Sequence, residues 1–230
     1  DKGATVSGTL GDPIGWVDPD PLDVLESGYD DLFTAAAGTN NNATIPVPTS
    51  LVMEGAAVTL TAGTYYFDKI ELKANAGIDS ILTIDASGGP VNIYVQGPVT
   101  LGNAQTLDIQ NANYDVNIRL SDPSGGLTGP DIFIADNGSI INMQGNPTDF
   151  SLYSDSAAGV RFHNSSSFKG VVYAPDGQIE MDNSSDVYGS IWGNEIFIHN
   201  SGDLFFDTQL LTEYLTNDLI LVSWFDDRND

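Results

Sequence analysis

The sequence predicts an all-β fold: a right-handed parallel β-helix with a short N-terminal helix and a C-terminal helix and strand as a cap. Three observations lead there. From Leu51 the chain breaks into short runs of β-branched, aromatic and aliphatic residues, such as ILTID, VNIYV, VNIRL and DIFIA, bounded by Gly, Asn, Asp or Pro. These runs recur at a spacing of roughly 17 to 20 residues, the mark of a solenoid in which each coil pairs with the next. Polar turns between them repeat at the same register, with Asn meeting Asn. An antiparallel sandwich would show two-residue primed hairpin turns instead. Right-handedness follows from the rule for parallel crossovers.

The elements follow in order. Residues 1–50 form an arm, a helix and a linker. The first twenty residues are rich in Gly and Asp and read as extended chain. In PLDVLESGYDDLFTAAAG the apolar residues Leu22, Leu25, Tyr29, Leu32, Phe33 and Ala36 recur near the helical period, with Asp20 as N-cap, Pro21 at the first helical position and Gly38 as the stop. This helix is expected to shield one end or a long side of the solenoid. The prolines of TNNNATIPVPTS cannot donate to a ladder, so that stretch is a linker or an edge.

The β-helix proper is expected over 51–206. Its clearest coils begin at Val160-x-Phe162, Ile179-x-Met181 and Ile196-x-Ile198, and Ile141-x-Met143 stands one such step before the first. Each of the three later pairs precedes an Asn (Asn164, Asn183, Asn200), followed by Phe168, Val187 or Leu204. Phe162, Met181 and Ile198 are expected inside, with His163, Asp182 and His199 pointing out in a column. The three asparagines are expected to form a structural ladder of stacked amides. Residues 207–230 are expected to be a cap, with a short apolar turn (Leu210, Leu211, Tyr214, Leu215) and a final strand (Leu219 to Trp224) covering the open coil.

Composition narrows the function. Thirty-two acidic against seven basic residues give a net charge of −25, which repels nucleic-acid backbones and anionic lipid surfaces. Only six of the acids are Glu; Asp favours turns, which suits a loop-rich β-chain. Without cysteine, disulfides and thiolate metal sites are excluded. No apolar run is long enough to span a membrane, so direct insertion is not expected of these residues. No leader sequence follows Asp1, as expected once a signal or anchor has been removed. The glycosylation sequons at Asn42, Asn137, Asn164 and Asn183 are read as turn chemistry.

Three stretches, GTYYFDKIELKAN (63–75), GPVNIYVQGPVTLGN (89–103) and FKGVVYAPDGQIEMDNSSDVYGSIWGNEIFIHNSGDLFFD (168–207), resemble a bacterial family. Its members are β-helical domains of unknown function at the C-terminus of type IV pilus-associated, PilX-like proteins and related surface proteins. Tyr173-Ala174-Pro175-Asp176 and Ser223-Trp224 stand where the family has its tyrosine–proline coil and final Ser-Trp. The resemblance implies an exported, extracellular structural or adhesive protein, with surface or pilus proteins as partners and no catalytic residue. This chain departs from the family in lacking the hydrophobic pilin helix. A weaker architectural likeness is to bactofilins, β-helical proteins that form polymers.

No P-loop, Rossmann glycine pattern, GxSxG or HExxH motif is present, and no enzymatic activity is expected. His163, Asp182 and His199 carry metal-compatible side chains but are read as a solvated column. Calcium is the ion the acids suit best, through Asp18, Asp20 and Asp23 at the helix start, although turn and cap chemistry also explains them. A polysaccharide-degrading enzyme would need paired carboxylates, or an Arg or Lys base beside calcium, and Arg119, Arg161 and Lys169 are its basic candidates. Carbohydrate binding would rest on Tyr173 and Trp192. The isolated domain is expected to be monomeric.

Overall fold

The computed structural model describes residues 23–45, 49–123, 126–127, 129–142, 145–208 and 210; of residues 23–28 and 44 only the backbone is described. It is a parallel β-helix whose strands join in one wound sheet with three walls. The first coil comprises β1 (Ser50–Glu54), β2 (Ala57–Leu60) and β3 (Gly63–Phe67). The second comprises β4 (Lys69–Lys73), β5 (Ile81–Asp85) and β6 (Val91–Val95), and the third β7 (Val99–Leu101), β8 (Thr106–Gln110) and β9 (Val116–Leu120). The fourth contains β10 (Asp131–Ala135), β11 (Ile140–Ile141) and β12 (Phe150–Ser154). Beyond it, β13 (Gly159–Phe162) leads into two long bent strands, β14 (Ser167–Met181) and β15 (Asp186–Ile198), and β16 (Asp203–Phe206) ends the stack.

Every pairing between named strands is parallel and joins one coil to the next. In the first wall Leu51, Ile70, Val99, Phe133, Val160, Ile179 and Ile196 share one register. The steps from Leu51 to Ile70, from Val160 to Ile179 and from Ile179 to Ile196 have the expected length. Those from Ile70 through Val99 and Phe133 to Val160 are all longer, so the expected period holds at the two ends and not in the middle. There, longer connections between walls lengthen the coils, as around 74–80 and 145–149.

One expected register is corrected. Ile141 does not belong with Val160; it pairs with Leu107 and Phe168 in the second wall. Phe133 is the residue that precedes Val160 in the first. Met143 lies outside the described residues.

Alternation drives the packing. From Leu51 to Met181 the inward side chains of the first wall are at most 2% exposed, as are Leu82, Leu107, Phe168 and Val187 in the second and Phe67, Ile93, Ile118 and Leu152 in the third. Phe133, Phe162, Phe168 and Phe150 form a chain of ring contacts with centroids 4.9 to 5.9 Å apart. At the bent strands the corners narrow until only glycine fits. A Cβ on Gly189 (φ +142°) would lie 1.9 Å from the Gly170 carbonyl oxygen.

Helix α1 (Asp23–Gly38) lies against the outside of the third wall, so it covers a long side. Its Phe33 meets Tyr94 edge-on at 5.2 Å, and the Tyr29 hydroxyl donates to the carbonyls of Leu120 (3.1 Å) and Tyr153 (3.4 Å). The chain then crosses the open edge of β3. The Asn41 amide donates to the Thr64 carbonyl, the Asn41 side chain accepts from the Thr64 amide, and the Asn42 side chain accepts from the Tyr66 amide. Two asparagines thus stand in for a missing strand at that end, which blunts the edge. Asp20 and Pro21, the expected helix start, lie outside the described residues, as does most of the expected cap: residue 209 and residues 211–230.

Candidate functional site

The corner between the first and second walls carries the densest polar chemistry. Asp136-Asn137-Gly138-Ser139, His163-Asn164-Ser165-Ser166, Asp182-Asn183-Ser184-Ser185 and His199-Asn200-Ser201-Gly202 lie one above another. In each the fourth amide donates to the first carbonyl, and both central residues have positive φ, between 45° and 79°. This is the primed-turn geometry that the sequence led us to expect only in hairpins; here it joins two walls instead. Asn fits because its short amide tolerates the left-handed region better than other L-residues.

The stacked turns bond to one another. Asn183 Nδ2 donates to Asn164 Oδ1 at 3.0 Å, and Asn200 Nδ2 donates to Asn183 Oδ1 at 3.2 Å. At the top, Asn164 Nδ2 donates to the carboxylate of Asp136 at 3.0 Å and not to Asn137. Sequence reasoning identified the three asparagines and missed Asp136, because a carboxylate one position earlier breaks the Asn pattern.

The histidine–aspartate column is tighter than expected. His163 Nδ1 hydrogen-bonds Asp136 Oδ1 at 3.0 Å, and its Nε2 lies 3.1 Å from Asp182 Oδ1 without hydrogen-bond geometry, so one ring touches side chains of the coils on both sides. Asp182 is only 9% exposed and does not project freely into solvent, which corrects the expectation of a solvated column. His199 is exposed and stacks on Phe197 at 5.6 Å. Among the described residues no group of three or more His, Asp or Glu side chains converges as a metal site would require. Of the expected calcium ligands, Asp18 and Asp20 lie outside the described residues, and Asp23 is described only in its backbone.

Two of the three basic candidates are tied up. Arg161 makes two hydrogen bonds to Glu180 Oε2, at 2.8 and 3.1 Å, and lies 3.6 Å from Asp131 on the first wall. Burial raises the Asp131 carboxyl above its ordinary range, and the Arg161 charge offsets part of that rise. Arg119 lies between two aromatic rings, 5.5 Å from the centre of Tyr94 and 5.3 Å from that of Tyr153, while donating to Asn92 at 3.0 Å. Lys169 stands beside Tyr188 in the ladder.

Arg119 belongs to a column of which the sequence showed only the Tyr173–Trp192 pair. Tyr66, Tyr94, Arg119, Tyr153, Tyr173 and Trp192 occupy one outward register of the third wall, one per coil. Helix α1 is seated over its first part. Tyr173 and Trp192 stack at 6.1 Å with planes 25° apart; Tyr173 is covered and Trp192 is 49% exposed. Beside the helix seat, burial pushes the Asp155 carboxyl up to about 6, an accepted hydrogen bond from Ser121 opposes the rise, and the Asp122 and Asp30 charges add to it. Burial likewise raises the Tyr29 hydroxyl, and the Asp155 charge adds to that rise.

Residues 22–213 match a family described as a domain of unknown function (DUF7305), and the chain belongs to that family. No curated protein and no solved structure matches the chain.

Proposed function

We propose that this member of the DUF7305 family is an exported, non-enzymatic protein of the cell surface, structural or adhesive, carried on a type IV pilus or another envelope appendage. The observation that carries the reading is how the polar side chains are used. The Asn ladder, the Asp136–His163 hydrogen bond and the Arg161–Glu180 pair each tie one coil to the next along the solenoid. That use suits a scaffold. The resemblance to pilus-associated surface domains agrees with it: in its GTYYF stretch Tyr65 and Phe67 are core residues of the third wall, and in YAPD Ala174 is buried at a bulge where β14 turns a corner.

Fractionation of cells that carry the protein tests the proposal. Antiserum against the chain should label intact cells, and shearing should release the antigen with the pili or other appendages. Recovery confined to the cytoplasm would reject it.

The Tyr173–Trp192 stack favours a second reading, a surface that binds carbohydrate through ring faces. Titration with acidic polysaccharides should then quench tryptophan fluorescence, and Trp192→Ala should abolish the change. Release of unsaturated products would instead indicate a lyase. A polymer-forming scaffold of the bactofilin kind would assemble into filaments on its own, which electron microscopy would show.

A further inference from the structure

The two ends of the solenoid are not alike. At the first coil, Asn41 and Asn42 hydrogen-bond the edge of β3. At the last coil, Ile196, Ile198, Leu204 and Phe206 continue the inward register but are between 38% and 53% exposed. No strand among the described residues pairs with the outer edge of β16 or of β15 residues 195–198. The Asp203 and Asp207 amides donate back to the Ser185 and Gly189 carbonyls. By strand alternation, the amides and carbonyls of Leu204 and Phe206 therefore point to the open side, where they can pair with another strand.

Charge gives this edge a preference. Asp186 and Asp203 are direct partners on adjacent strands, carboxylate beside carboxylate, an unfavourable pairing. Seven acids and no Lys or Arg lie between residues 170 and 210. Lys169, a coil back in the next column, forms no ion pair with either aspartate.

We infer that the last coil is a docking edge for an extended, basic segment of a second protein, which adds one more strand to β16. Register sets the chemistry of that segment. A Lys or Arg opposite Asp203 compensates the carboxylate pair, and apolar residues opposite Leu204 and Phe206 cover the open core. An aromatic residue opposite Phe205 continues its stack on Tyr188, whose ring centre lies 4.6 Å away with planes 10° apart. The matching pattern is thus basic, apolar, aromatic, apolar. A second copy of the chain would instead bring two acidic ends together. The run Leu219–Trp224 of the same chain carries no basic residue to set against Asp203. The inference goes beyond the cell-surface reading and does not depend on it.

Hydrogen exchange on the full chain tests the inference, with the synthetic peptide Thr-Lys-Val-Tyr-Val-Thr and its counterpart with Glu in place of Lys as probes. The Lys peptide should slow exchange at Leu204 and Phe206 and leave 160–181 unchanged. It should bind at least about tenfold more tightly than the Glu peptide, by a margin that shrinks as salt is added. Asp203→Asn should reduce that preference, and an unchanged preference would contradict the register. Slow exchange at Leu204 and Phe206 without peptide would assign the edge to this chain if it is independent of protein concentration, and to a second copy if it grows with concentration. Either result overturns the inference, as does equal affinity for the two peptides or binding of neither.

Discussion

Replacing Phe162 by Ala removes the ring that joins Phe133 in the coil before to Phe168 at the second wall, at 5.9 and 4.9 Å. Phe162 is fully buried, and its neighbours are held by ladder hydrogen bonds on both sides, so the cavity cannot close. Deleting a buried Phe side chain costs about 3–5 kcal/mol, and for a chain of this size each kcal/mol lowers the melting temperature by about 2–4 °C. A fall of roughly 6–20 °C is expected. The neighbouring Arg161 points outward to a partly exposed carboxylate, and Arg161→Ala should cost about 1 kcal/mol or less.

The two variants differ by one position along a strand, so their ratio reads the register directly. Because coils touch only their neighbours, the Phe162→Ala loss should also be local. Hydrogen exchange should accelerate in residues 131–181 and stay slow in 63–95. Equal melting shifts for the two variants, or acceleration spread evenly along the chain, would refute the reasoning.

Asp155→Asn should stabilise the chain at pH 7. The folded carboxyl, at about 6, lies above the ordinary range, so its contribution is complete below about pH 4 and is lost as pH rises through about 6. Discounted for solvent, the gain at pH 7 is about 1 kcal/mol, and urea titrations at pH 4 and 7 should show the variant's flatter profile. Asn183→Ala removes a bond on each side of the ladder and puts Ala at a φ of 49°, for a loss of about 1–2 kcal/mol by thermal melting. Gly189→Ala should destabilise by about 3 kcal/mol or more, or prevent folding, because its Cβ overlaps the Gly170 carbonyl; an unchanged melting temperature would contradict the corner geometry.

The fold was legible where the turns are short. From Val160 onward the corners are brief and the inward pairs recur at a nearly constant step, so the stacking of Phe162 on Met181 could be read directly. Upstream, excursions of unequal length erase the period, although Ile70 and Val99 still show the same alternation. Alternation says which side chains turn inward but not which wall they line. For that reason Ile141, a second-wall residue, matched Val160 by spacing alone.

The Asn ladder was legible because a left-handed turn selects Asn, and stacking places the amides in reach of each other. Asp136, His163 and Asp182 were harder to see, since the reach of an imidazole across two coils depends on rotamers. The outward column, apart from its Tyr173–Trp192 end, was hidden for another reason. The steps between its members are unequal, with the longest from Arg119 to Tyr153, and Tyr66 sits beside the inward Tyr65 in one motif.

The claim on which the rest depends is that successive coils pair in parallel at fixed register, and the absence of cysteine makes disulfide trapping the most direct measurement. Ser167 opposes Asp186 and Val171 opposes Ser190, all partly exposed. Parallel partners on adjacent strands lie about 4.8 Å apart, within the span of a disulfide. The double variants Ser167→Cys with Asp186→Cys, and Val171→Cys with Ser190→Cys, should both oxidise to intramolecular bridges. The crossed pair Ser167→Cys with Ser190→Cys, displaced along the strand by about 13 Å, should not. Closure of the crossed pair, with the two direct pairs left reduced, would mean antiparallel strands and would contradict the β-helix.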